Sequence, residues 1–171
     1  MKIIIVSGGF DPLHSGHIAY FKAAKNLGEK LVVALNNDEW LINKKGKFFM
    51  PFGERKSIVE NLSCVDLVVD FEDDDLGSAT NALIKIKEMF PDDEIIFANG
   101  GDRNKGNIPE MSVDGIKFEF SVGGDDKKIH LHGYLKTGNT IMKKDYGGLF
   151  IICLSKIKLK LKSLLLRLVK A

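Results

Sequence analysis

A chain of 171 residues with 44% hydrophobic and 28% charged content describes a soluble globular protein, one domain of ordinary size with room for a real core. The net charge of +2 conceals an asymmetry: from Ile129 onward nine Lys/Arg face one acid, Asp145, which leaves 16 Lys/Arg and 22 Asp/Glu, a net −6, in residues 1–128. That acidic portion argues against nucleic acid as a partner, and two cysteines, Cys64 and Cys153, exclude a disulfide scaffold or a cysteine zinc site.

Met1-Lys2 leads straight into an apolar run without an h-region or cleavage site, so a reducing, cytoplasmic compartment is expected. The run Ile3–Val6 predicts a buried strand, and Ser7-Gly8-Gly9 followed by Phe10-Asp11-Pro12 predicts its exit turn. His14 and His17 then fall three residues apart on the opening turn of a helix that carries Ile18, Phe21 and Ala24 and stops at Gly28. Rings so spaced share a face where a helix offers unpaired N–H groups and the positive end of its dipole, which suits a phosphate.

Leu31–Leu35 predicts a second strand ending in Asn36-Asn37-Asp38, Trp40-Leu41 a short helix, and Asn43–Lys47 a basic loop. Pro51–Leu62 predicts another helix with Arg55 in its first turns, and Val65–Phe71 a third strand. The acidic run Glu72–Asp75 reads as a solvated turn rather than a metal site. Ser78–Phe90 predicts a helix, Glu94–Ala98 a fourth strand leaving through Asn99-Gly100-Gly101-Asp102-Arg103, and Ile116–Phe120 a fifth. Continuous apolar strands separated by helices predict an α/β fold, a Rossmann-like doubly wound parallel sheet of about five strands. Ligands bind such sheets beyond the carboxyl ends of the strands, where the candidate residues cluster.

Neither a G-x-G-x-x-G fingerprint nor a Walker loop is present. The stretch Gly8–His17, GGFDPLHSGH, instead resembles the signature of the HxGH nucleotidyltransferase superfamily: strand, double glycine, Phe-Asp-Pro and His-x-Gly-His arrive in order. Within it the chain looks similar to the cytidylyltransferases of glycerol phosphate and ethanolamine phosphate and to sugar-phosphate nucleotidyltransferases. The resemblance implies transfer of a nucleoside monophosphate, CMP favoured, from an NTP to a small phosphorylated alcohol or sugar, with release of pyrophosphate. The alternatives are an adenylyltransferase of the cofactor or heptose-phosphate type and a degenerate nucleotide-binding protein. An acceptor phosphate with a second pKa near 6 is mostly a dianion at neutral pH and needs no general base, so catalysis reduces to positioning and charge stabilisation.

By the same resemblance His14 and His17 donate hydrogen bonds to the α-phosphate and the leaving phosphates, and Lys45 and Lys47 belong to a basic loop that reaches the phosphates. Gly8, Gly9 and Gly16 admit a close backbone approach, and the Phe10 amide points at a phosphate. Asp11 either places the incoming phosphate or its metal or serves as a turn former before Pro12. Arg55 either meets the nucleotide or forms a surface salt bridge. Asp38, Gly101, Asp102 and Arg103 stand where relatives hold nucleotide or ribose. Mg²⁺ is expected with the NTP, no all-protein metal site is visible, and relatives often form homodimers.

The resemblance ends near residue 128. Relatives carry a Ser/Thr-rich segment opening a helix after the last strand, whereas this chain reads Ser121–Lys128 and then Ile129-His130-Leu131-His132-Gly133. Residues 1–128 are therefore expected to form the transferase domain and residues 129–171 an atypical basic tail. Ser155–Ser163 alternates apolar and basic residues at the strand period, and contact of this tail with an anionic membrane is a weaker reading. Written in A/T-rich codons and read one base earlier, Lys128–Gly133 becomes Lys-Asn-Ser-Ser-Ser-Trp, so the tail is expected to be translated out of frame. The codons at 129–133 test this, and turnover depends on the outcome.

Overall fold

A computed structural model describes residues 1–101, 103, 106 and 108–123, together with the backbone of two later strands. The chain forms two units, Met1–Lys127 and Lys128–Ala171. In the first, β1 (Lys2–Gly8), β2 (Lys30–Leu35), β3 (Leu67–Asp70), β4 (Glu94–Ala98) and β5 (Ile116–Glu119) form one sheet in the order β3-β2-β1-β4-β5. Every pairing is parallel, with Ile3 opposite both Lys30 and Ile95. Strand order reverses between β1 and β4, the place where such sheets open a crevice.

Continuous apolar strands arise because both faces are covered. Ile3, Ile5, Val32 and Ala34 point to the face packed by α4 (Thr80–Met89) through Ala82, Leu83 and Ile86. Ile4, Val6, Leu31, Val33 and Leu35 point to the other face, against Phe21 and Ala24 of α1 (Ser15–Lys25) and Val59 of α3 (Phe52–Glu60). Period-two alternation within an all-apolar strand thus divides one run between two cores. Right-handed crossovers put helices made on the two sides of β1 on opposite faces.

Helices α3 and α4 and strands β3 and β5 are each one to three residues shorter than the sequence predicts, and one boundary moves a candidate residue. Helix α2 (Asp38–Lys45) takes in Lys44 and Lys45, so the loop before α3 begins only at Gly46 and keeps one of the basic residues, Lys47. The reason is local: Asn37 Oδ1 accepts the Trp40 amide at 2.8 Å, Asp38 and Glu39 occupy the first turn, and both lysines complement the negative end of the dipole. Gly46, left-handed at φ 81°, then ends the helix by donating to Ile42 O at 2.7 Å.

In the second unit, β6 (Thr140–Asp145) and β7 (Gly148–Cys153) pair antiparallel. The period-two pattern at Ser155–Ser163 and the Ser/Thr comparison at 124–133 lie outside the described residues.

Candidate active site

The chain leaves β1 through a kink. Phe10 is left-handed at φ 44°, a region costly for a side chain with a Cβ, and among the described residues its amide donates to no acceptor. Its buried ring meets Phe21 edge-on at 4.7 Å and His17 at 5.1 Å, which fixes the imidazole from behind. Part of the glycine requirement is packing within the loop. A Cβ on Gly9 would lie 2.6 Å from Leu41 Cδ2, and one on Gly16 would lie 2.9 Å from His14 Cε1. Gly8 similarly clears the Phe10 ring.

His14 is the N-cap of α1: its Nδ1 accepts the Gly16 amide at 3.1 Å. That bond leaves the proton of the neutral ring on Nε2, a donor with no acceptor among the described residues. His17 stacks on it, ring centres 3.7 Å apart and planes 21° from parallel. His17 Nδ1 is buried with no partner among the described residues, so its ligand chemistry falls to Nε2. Burial, then the His14 and Lys45 charges, pull the His17 pKa down to about 4. Burial and Lys45 also lower that of His14. Two neutral imidazoles therefore stand at the mouth of a helix, poised to gain hydrogen bonds to an anion.

Asp11, Asp38 and Arg55 occupy a different environment. Both Asp11 oxygens accept backbone amides, Phe49 at 2.7 Å and Met50 at 2.8 Å, and the carboxylate is buried. Its geometry ties down the loop after α2. Arg55, 1% exposed, is not the surface salt bridge that the sequence allowed. It donates to Met50 O at 3.0 Å, to Gly9 O at 2.7 Å, to Asn36 O at 2.8 Å and to Asp38 Oδ1 at 2.6 Å. One guanidinium thus joins the exits of β1 and β2 to the loop before α3. The other Asp38 oxygen accepts the Phe52 amide at 3.1 Å, so this carboxylate too is held internally.

Lys45 reaches the site from the last turn of α2: its Nζ donates to Asp11 O at 3.0 Å and its charge is felt by both imidazoles. Lys47 is exposed and makes none of these contacts. The exit of β4 flanks α1 at Tyr20, one turn beyond His17. Tyr20 OH donates to Ala98 O at 2.5 Å, and its ring lies where a Cβ on Gly100 would be 3.0 Å away. Burial raises the Tyr20 pKa, against the nearby Arg103 charge. Gly101 is left-handed at φ 69° with open space around it, and Asp102 lies outside the described residues. Arg103 Nη1 meets Glu110 Oε1 at 3.5 Å, and the same oxygen accepts the Ala79 amide at 3.0 Å.

Sequence reasoning missed Tyr20, Glu110 and the roles of Asn36 and Asp73. Asn36 is buried at the end of β2 and donates to Asp73 Oδ1 at 2.6 Å. The acidic turn is accordingly solvated only in part. Glu72 and Asp75 are exposed, whereas Asp73 and Asp74 are half-buried, and Asp74 holds the Leu76 and Ser78 amides at 3.0 and 2.7 Å. An asparagine closing an apolar strand was the available signal.

A family profile described as cytidylyltransferase-like matches residues 5–117, from within β1 into β5. The chain belongs to the cytidylyltransferase-like family. Among curated proteins, bifunctional protein HldE of Actinobacillus succinogenes is 33% identical over 144 residues, covering 83% of this chain and 27% of that protein. The HldE of Erwinia tasmaniensis is 32% identical over 142 residues, covering 82% and 27%. The chain thus spans about a quarter of the length of the curated relatives it matches. A crystal structure of the lipopolysaccharide core biosynthesis protein from Thermoplasma volcanium GSS1 superposes with a TM-score of 0.56 and 25% identity, covering 70% of this chain and 95% of that one. The five-stranded parallel sheet is that of a nucleotidyltransferase of Rossmann-like fold.

Proposed function

We propose that residues 1–128 carry a nucleotidyltransferase that joins a nucleoside monophosphate to a small phosphorylated sugar and releases pyrophosphate. The observation that carries this reading is the stacked His14–His17 pair at the mouth of α1, beside the Phe10 kink at the exit of β1, where strand order reverses toward β4. A phosphate oxygen of the acceptor attacks the α-phosphorus of the NTP. The bond from that phosphorus to the bridging oxygen breaks, and its electron pair leaves with pyrophosphate. No proton need be removed from the nucleophile. The His14 and His17 Nε2–H groups offer hydrogen bonds to the oxygens on which charge gathers, and Lys45 adds a positive charge beside them.

Mg²⁺ would enter as the complex of the triphosphate. The site itself is made of donors, and the Asp11 and Asp38 carboxylates are held by amides and Arg55, so the described residues do not fit a protein-held ion. Similarity to HldE and to a lipopolysaccharide core protein favours a sugar phosphate over a simple alcohol phosphate. It also favours AMP from ATP, the heptose-phosphate alternative, over the CMP expected from sequence.

The test is pyrophosphate release with CTP and ATP against hexose, heptose and polyol phosphates. The reading expects one nucleotide–sugar phosphate pair to turn over and His14→Asn to abolish most of that rate. Tight nucleotide binding without release from any pair would contradict transferase activity and support the degenerate alternative.

A further inference from the structure

The connection from β4 to β5 passes through a short 3₁₀ turn, Pro109–Ser112. Ile108 before it is buried, and Val113 after it packs against the same core as α4. Pro109, Met111 and Ser112 are exposed, so the residue that the turn directs inward is Glu110, 1% exposed. Its Oε1 accepts the Ala79 amide at the start of α4 at 3.0 Å, and its Oε2 is buried with no partner among the described residues. Capping α4 requires an acceptor but no charge, and a neutral side-chain oxygen of the same reach would take that amide. A buried carboxylate is costly where an amide or an apolar residue would serve, so its charge points to a second task.

Arg103 identifies that task. Its Nη1 meets the same Oε1 at 3.5 Å, while 38% of the Arg103 side chain stays open to solvent. Its charge is felt at the Tyr20 hydroxyl, which donates to the last residue of β4 one turn beyond His17. The guanidinium therefore stands on the β4 side of the crevice that the imidazole pair borders from β1. Gly101, two residues earlier, is left-handed with open space around it, so local packing does little to hold this arginine. A guanidinium is a rigid fork of five N–H groups, and an anchor on one edge fixes where the opposite edge points.

We propose that Glu110 is a positioning residue for the nucleotide: from inside the fold its carboxylate holds the Arg103 fork, which presents its outward edge to the bound nucleoside triphosphate. A fork held before the ligand arrives loses less freedom on binding, which raises affinity without touching the reacting atoms. The proposal rests on the nucleotidyl-transfer reading for the identity of that ligand.

The experiment is isothermal titration of the full chain with ATP and with CTP, in Mg²⁺, on wild type, Glu110→Gln, Arg103→Ala and the double variant. Glu110→Gln keeps an oxygen for the Ala79 amide and removes the charge. The nucleotide that binds wild type should bind Glu110→Gln about tenfold more weakly, the scale of one charge-assisted bond, and Arg103→Ala about as weakly. In the Arg103→Ala background, Glu110→Gln should change affinity by less than about twofold. In turnover, KM for the nucleotide should rise in Glu110→Gln while kcat changes less than about twofold. Equal losses in the two backgrounds would make Glu110 a structural cap alone and overturn the proposal. Wild-type affinity in folded Glu110→Gln, a fall in kcat at unchanged KM, or a wild type that binds neither nucleotide would overturn it too. If Glu110→Gln does not fold, Arg103→Lys carries the test: lysine keeps the charge and loses the fork, so affinity should lie within about twofold of Arg103→Ala, and wild-type affinity would overturn the proposal. Nucleotide binding that depends on both residues, with no pyrophosphate release from any NTP, would uphold the pair and sink the transfer reading.

Discussion

Two groups of polar residues face each other across the exit of β1, and they are used in opposite ways. Among the described residues neither the His14 nor the His17 Nε2 meets an acceptor, while His17 is held neutral at ordinary pH and its buried Nδ1 has no partner there. Asp11, Asp38 and Arg55 direct their polar atoms inward, to backbone carbonyls and amides of the surrounding loops and to each other. Residues that converge on one strand exit can therefore divide into groups whose polar atoms are left open and groups that hold the loops still. Satisfied hydrogen bonds mark the second class, and unsatisfied donors with depressed basicity mark the first.

That division is easiest to break at Arg55. Arg55→Ala leaves Asp38 uncompensated and strips donors from Gly9, Asn36 and Met50 carbonyls, so urea denaturation should show a loss of about 3–5 kcal/mol. A surface ion pair would cost under about 1 kcal/mol, and that result would return Arg55 to the surface. Next in size is His14→Asn. Asparagine can still cap α1, so unfolding should shift by less than about 1 kcal/mol, while kcat for pyrophosphate release should fall about 10²- to 10³-fold. Equal losses in stability and rate would erase the contrast.

Asp11→Asn sharpens the comparison from the other side. The amide retains one acceptor for the two N–H groups of Phe49 and Met50, which should cost about 1–3 kcal/mol of stability. Hydrogen exchange at those two amides should accelerate, whereas nucleotide affinity should change less than in His14→Asn. The last effect is on pH, slight near neutrality and growing as acid is added. A folded His17 pKa near 4 lies below the usual 6.5, so the unfolded chain binds more protons between those values. Its contribution to stability is complete above about pH 6.5 and is lost as pH falls toward 4. Melting curves across that range should slope more steeply for wild type than for His17→Gln.

Sequence reading reached the fold because β1, β2 and β4 are apolar runs that need cover on both faces, and the histidine pair because its spacing is local. It failed where the cause was distant. The Arg55 partners Gly9 and Asn36 lie 46 and 19 residues away, and no local pattern distinguishes a buried guanidinium from a surface one. Lys44 and Lys45 looked like loop residues because basic charge at a helix end resembles a solvated run, although Asn37 and Gly46 carried the cap signals. Asp73 was hidden in an acidic string whose four members differ in burial.

The most direct test tracks the imidazoles themselves. NMR of ¹³C-labelled histidine, with the chain's four histidines assigned by substitution, can be recorded across pH with and without ATP or CTP and Mg²⁺. A triphosphate placed against the pair should move the His14 and His17 ring signals and raise the His17 pKa from about 4 toward its ordinary value. If nucleotide binds, as backbone amide shifts would report, and both rings keep their signals and pKa values, the imidazole pair is not the phosphate site.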